Sequence, residues 1–140
     1  IFTNSPVSSD SEPTQAIFVN EWRKMLRDFK DAKIYITTER PCIHSKVTIF
    51  DRKRLIVGTW NLDNISARIN SENGVLVETP AMAEQERDFI MEKIRYRSFE
   101  LKLEGMHRPQ DLPGHPEVEE RVRKLNRMYR ILYKRIRSII

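Results

Sequence analysis

The sequence predicts an α/β domain, a mixed β-sheet flanked by helices, followed by a C-terminal basic amphipathic helix. Three observations predict it: apolar residues at helical spacing near the start, short β-branched runs in the middle, and a second helical stretch behind a Thr-Pro pair.

In chain order, IFTN reads as a short strand and SPVSSDSEPT as a Ser/Pro/Asp loop. In QAIFVNEWRKMLRDFK the residues Phe18, Trp22, Met25 and Phe29 fall on one face of an amphipathic helix. KIYITT follows as a strand. IHSKVTIFD and RLIVGT are two more, joined by a tight polar turn at Arg52 and Lys53. In INSENGVLVE, residues Val75 to Val77 read as buried strand. Thr79 and Pro80 then supply a cap and first-turn proline for a helix to about residue 98. EGMHRPQDLPGHPE, with its Pro and Gly, predicts an irregular linker over 105–116. From Glu117 a seam of Val118, Val122, Leu125, Tyr129, Leu132, Ile136 and Ile139 runs along a helix through residue 140. Its other faces carry Arg121, Arg123, Lys124, Arg127, Arg130, Lys134, Arg135 and Arg137.

The chain has 140 residues, 39% hydrophobic and 32% charged, which suits one modest domain over residues 1–104 plus linker and tail. Its apolar runs fall far short of the roughly 20 residues that cross a bilayer, so no transmembrane segment is expected. The single cysteine, Cys42, cannot form an internal disulfide. Residues 1–115 hold equal numbers of basic and acidic side chains, so the formal charge of +5 sits entirely in the tail. A neutral body weakly disfavours a diffuse electrostatic nucleic-acid binder. The start, Ile1 without Met, suggests a piece of a longer protein.

Within IHSKVTIFDRKRLIVGTWN, strand alternation puts Ile43, Ser45, Val47 and Ile49 on one face and His44, Lys46 and Thr48 on the other. The first face reads as core, the second as a site. A single strand histidine is usually structural and a lysine beside it a solvated edge residue. Here, however, His44-x-Lys46 is followed after four residues by Asp51 and after six more by Gly58-Thr59-Trp60-Asn61. A metal site is not expected, because His107 and His115 lie in the Pro-rich linker without paired ligand spacing. No phosphate-binding glycine loop, GxSxG or CxxC occurs.

That spacing resembles the HKD signature of the phospholipase D superfamily, HxKxxxxD followed by GSxN, with Thr59 in place of Ser. NLDNISARINSENG is similar to the family's continuation, in which an acidic residue closes the site, and Glu72 stands there. The resemblance implies a phospholipase D-like half domain with one HKD motif, covering about residues 1 to 104. Its chemistry is phosphodiester transfer or hydrolysis through a phosphohistidine, with no metal or other cofactor required. An imidazole, ordinarily titrating near about 6.5, can attack phosphorus or protonate the leaving group, and both roles stay open for His44. Lys46 and Asn61 would place donors on the phosphoryl oxygens, and Glu72 would orient His44 through its other ring nitrogen. Asp51 and Gly58 are read as structural members of the motif.

One motif is half of this superfamily's active site. The second half is expected either upstream in the same chain or from a homodimer partner. IFTNSPVSSD resembles the start of the second half of bacterial cardiolipin synthase-like phosphatidyltransferases, which favours the first. The leading expectation is a phosphatidyltransferase or phospholipase D acting on glycerophospholipids at the cytoplasmic surface of a bacterial inner membrane, as a peripheral protein. The alternative is a dimeric, metal-independent endonuclease with nucleic acid as its partner. A basic amphipathic tail suits an anionic membrane surface. The competing reading packs the apolar seam on protein and leaves the basic faces merely solvated.

Overall fold

The structure is a computed structural model and describes residues 1–9, 11–62, 64–107, 120, 121, 123–125 and 127. The elements are β1 (Phe2–Asn4), α1 (Glu12–Asp28), β2 (Ile34–Thr37), β3 (Lys46–Phe50), β4 (Arg54–Gly58), α2 (Asn64–Arg68), β5 (Gly74–Val77), α3 (Pro80–Arg97), β6 (Ser98–Lys102) and β7 (Gly105–His107). The α/β class with mixed strand directions is as expected. The strands form two sheets, in two compact units.

The first unit comprises Ile1–Ile43 and the described residues from Lys93 to Arg127. Its sheet has the order β1-β2-β6-β7, parallel between β1 and β2 and antiparallel elsewhere. Ile34 and Ile36 of β2 and Phe99 and Leu101 of β6 meet Trp22 of α1 in the core, with Phe18, Met25 and Leu26 packed at its margin. Helix α1 starts behind Ser11 with a proline in its first turn, where a missing N–H costs nothing. It stops at Asp28. Phe29 therefore leaves the helical register and is 65% exposed, against expectation, and Leu26 joins the core margin instead.

Two short strands revise the sequence reading of this unit. SFELK, not assigned from the sequence, is β6, and residues 105–107, expected to open the linker, pair with it as β7. The rest of the linker, 108–116 including His115, lies outside the described residues. Of the tail, Glu120, Arg121, Arg123–Leu125 and Arg127 are helical. Leu125 is 1% exposed and packs with Ala16 and Val19 of α1, while Arg123, Lys124 and Arg127 are exposed. The seam is thus used by the protein itself at Leu125. Arg130, Lys134, Arg135 and Arg137, and the other seam residues, lie outside the described residues.

The second unit holds His44–Glu92: the antiparallel sheet β3-β4-β5, α2 and most of α3. Thr79 caps α3, its carbonyl accepting from Ala83 N at 3.0 Å, and Pro80 is the first helical residue, as the sequence predicts. Contrary to the expectation of a buried strand, Val75 is 64% and Leu76 54% exposed. A three-stranded sheet presents two faces, and what covers them is a tertiary matter that an apolar run cannot report.

Candidate active site

The register of the second sheet gathers the motif. Lys46 pairs with Gly58, and Gly58 with Gly74. The start of β3, the end of β4 and the start of β5 therefore share one end of the sheet. His44 lies two residues before Lys46, Thr59 and Asn61 just beyond β4, and Glu72 just before β5, so all five residues lie at this end. His44 and Ser45 precede β3 instead of forming its first residues, and His44 is exposed.

Lys46 is half-buried, and its Nζ donates to the His44 carbonyl at 2.7 Å. That bond ties the ammonium to the backbone that carries the imidazole. Thr59 is clamped across the sheet end: its N donates to Asn73 O at 2.9 Å, and its Oγ1 accepts from Asn73 N at 3.0 Å. The same hydroxyl donates to Glu72 Oε2 at 2.5 Å. The substitution of Thr for Ser thus keeps a hydroxyl that is in use. Glu72 is held below the usual carboxylate range, first by this bond, then by side-chain hydrogen bonds from Ser66 and Asn70 and by the charge of Lys46. Its carboxylate stays ionised, and the His44 imidazole is not among these partners. Asn61 is exposed and its backbone N donates to Ser66 Oγ at 3.2 Å.

Asp51 sits at the opposite end of the hairpin, about 16 Å of extended chain from Lys46. There Asp51 and Arg52 take φ of 53° and 57°, and Lys53 N donates to Phe50 O at 3.0 Å. The turn thus centres on Asp51 and Arg52, one residue earlier than the sequence suggests. Aspartate tolerates this left-handed conformation better than most residues, which supports a structural role. Gly58 is structural for a different reason. A Cβ there would lie 2.5 Å from Asn73 O and 3.1 Å from Gly74 Cα, both backbone atoms. Gly58→Ala is therefore expected to push β5 away and destabilise the chain by about 1–3 kcal/mol, read as a lower denaturation midpoint. An unchanged midpoint would show that the close approach is dispensable.

Ser66 and Asn70 are site residues that the motif spacing does not single out. Their only sequence signal is a place between Asn61 and Glu72.

Arg121, Arg123, Lys124 and Arg127 belong to the first unit, and no helix among the described residues is long and apolar enough to cross a membrane. Residues 6–93 match the family described as cardiolipin synthase, PLD-like domain. Neither the curated proteins nor the solved structures compared with the chain gave a match. The matched stretch holds every motif residue from His44 to Glu72. Domains of this kind are those of phosphodiesterases and phosphatidyltransferases, and typically work with a second half or a dimer partner. With a continuous match over more than half its length, the chain belongs to the phospholipase D superfamily.

Proposed function

We propose that this chain supplies one half of the active site of a cardiolipin synthase-type phosphatidyltransferase, or of a phospholipase D, acting on glycerophospholipids. The observation that carries the proposal is the convergence of His44, Lys46, Thr59, Asn61 and Glu72 at one end of β3-β4-β5. The imidazole nitrogen of one motif's histidine attacks phosphorus, and the alkoxide of the leaving alcohol departs with a proton from the other motif's histidine. An alcohol or water, giving its proton back to that histidine, then attacks the phosphorus of the phosphohistidine, and the P–N bond breaks to free the first imidazole. His44 fills one of these two roles. The ammonium of Lys46 and the amide of Asn61 meet the charge that grows on the non-bridging oxygens. Glu72, kept ionised by Thr59, is the acceptor proposed for the second imidazole nitrogen when the site is assembled.

The partner half is supported by the second sheet itself. Ile56 and Leu76 on one face, and Val57 and Val75 on the other, are each at least 40% exposed. Apolar residues left uncovered together mark an interaction surface. The partner is proposed to be a second HKD half, from the same polypeptide or from another copy.

The experiment is turnover by the assembled enzyme, both halves present, on phosphatidylglycerol vesicles and on single-stranded DNA, with and without EDTA. Release or transfer of the phosphatidyl group that survives EDTA is expected. Cleavage of DNA with no turnover of lipid would replace the reading by the nuclease alternative, and a strict divalent-metal requirement would remove the mechanism.

For the tail we propose electrostatic contact with an anionic bilayer surface through the exposed Arg123, Lys124 and Arg127, because Leu125 is already committed to α1. Each basic residue near such a surface contributes about 1 kcal/mol. The chain should therefore sediment with phosphatidylglycerol vesicles at low salt and be released as salt rises. Replacing these three residues by Gln should weaken binding, and equal binding to neutral vesicles would refute the proposal.

A further inference from the structure

We infer that Asn4 is a positioning residue for His44: its carboxamide clamps both backbone groups of Ile43 and so fixes the peptide from which the motif histidine extends. The inference deepens the phosphodiester reading above and rests on it for its catalytic consequence. Asn4 Nδ2 donates to Ile43 O at 2.8 Å, and Asn4 Oδ1 accepts from Ile43 N at 2.7 Å. Together the two bonds admit a single orientation of the amide, nitrogen toward the carbonyl and oxygen toward the N–H. The side chain thus does for Ile43 what a neighbouring strand would do. Such a partner matters here, because residues 42–45 lie between β2 and β3 and belong to neither strand.

The clamp is anchored at its base. Asn4 ends β1 and pairs in register with Thr37 of β2. Just beyond it the buried Ser5 donates its N–H to Thr37 O at 2.9 Å, and Ser8 Oγ donates to the same carbonyl at 2.7 Å. At its tip the clamp acts on His44 through the covalent chain. The Ile43 carbonyl and the His44 N–H share one planar peptide group, so a carbonyl held by Asn4 sets the orientation of that plane. The next peptide is held as well, since the His44 carbonyl accepts from Lys46 Nζ at 2.7 Å. Both peptide groups that flank the His44 Cα are therefore gripped by side chains, which leaves the imidazole chiefly its own side-chain torsions to search. A nucleophile or acid must meet its atom within narrow limits, and small misplacements cost heavily in rate.

The test uses the isotopically labelled full chain as wild type, Asn4→Ala and Asn4→Asp. In the wild type, NMR scalar couplings across the hydrogen bonds should join Ile43 N to the Asn4 side-chain carbonyl carbon and Asn4 Nδ2 to the Ile43 carbonyl carbon. That readout needs no variant to fold. The His44 amide should have an order parameter of about 0.85 in the wild type and fall toward about 0.6 in both variants. The Ile43 N–H tells the variants apart. Ionised aspartate keeps the acceptor and loses the donor, so Ile43 amide exchange should quicken about tenfold in Asn4→Ala and stay slow in Asn4→Asp. Amides of β2 and β6 should keep their protection in both. In the assembled enzyme each variant should lower kcat by about 10- to 100-fold with KM nearly unchanged. Missing couplings in the wild type overturn the proposal, and so does wild-type kcat in either variant. A loss of protection that extends across β2 and β6 overturns it too, since Asn4 would then serve the fold and not the histidine. If the wild-type enzyme turned over no phosphodiester, the functional reading would fall, while the couplings and the His44 order parameter would still uphold or refute the hold on the backbone.

Discussion

His44→Ala in the assembled enzyme is expected to leave no more than about one part in ten thousand of turnover, as loss of a nucleophile or obligatory acid does elsewhere. The fold should survive. His44 is exposed and precedes β3, and the bond that Lys46 makes to residue 44 is to its carbonyl, which alanine retains. A stability change within about 0.5 kcal/mol is expected for such a position. Steady-state rates on phospholipid vesicles, beside a denaturation curve for the same preparation, check both halves of the statement. Enzyme incubated with phosphate-labelled substrate and quenched in alkaline denaturant, where the phosphohistidine P–N bond survives, separates the two roles. Label on His44 identifies the nucleophile, whereas label on the second motif makes His44 the acid. Wild-type turnover by cleanly prepared His44→Ala would end the assignment.

Lys46→Ala and Asn61→Ala are each expected to lower kcat by about 100- to 1000-fold, the cost of removing one donor aimed at developing charge. Lys46 is already half-buried at the sheet end, with its Nζ held by the His44 carbonyl, so its ammonium is prepaid in position. Lys46→Ala carries a second expected effect. Its charge is one of the influences that hold the Glu72 carboxyl low, although the Thr59 hydrogen bond is the largest. Removing it should shift the acid limb of activity toward higher pH, and Thr59→Ala should shift it further. The sign follows from the depressed pKa: the benefit of an ionised Glu72 is complete above its unfolded value and is lost as pH falls through the folded one. A rise in KM with kcat unchanged would show that Lys46 and Asn61 serve ground-state binding instead.

Much of this was legible in the sequence because the signals are local. The spacing of Phe18, Trp22 and Met25 marks α1, and Pro80 marks the start of α3, since proline's fixed φ and missing N–H favour a first turn wherever it occurs. The motif residues are legible for a related reason. Two strands joined by a tight turn must bring the start of β3 near the end of β4, while the register that sets Lys46 opposite Gly58 was decided by the turn at Asp51 and Arg52, one residue earlier than the sequence suggests. What remained hidden depends on partners distant in the chain. SFELK carries too weak a pattern to declare itself, and it becomes β6 only because β2 offers the antiparallel edge from Ile34 to Thr37. The division of strands between two sheets follows from such non-local pairing as well.

Burial was the other thing that local pattern could not deliver. Val75 and Leu76 read as interior because they are apolar, yet burial requires a covering layer, and they stand exposed. Leu125 could equally have faced lipid or protein, and only its contact with Ala16 and Val19 decided the matter. At the site the same division holds. Residue types and spacing determined by themselves which chemistry His44, Lys46, Asn61 and Glu72 could perform. Tertiary structure alone decided that the Thr59 hydroxyl meets Glu72 and that the Ser66 hydroxyl meets the Asn61 backbone, because a hydroxyl acquires its role from the atoms within about 3 Å of it.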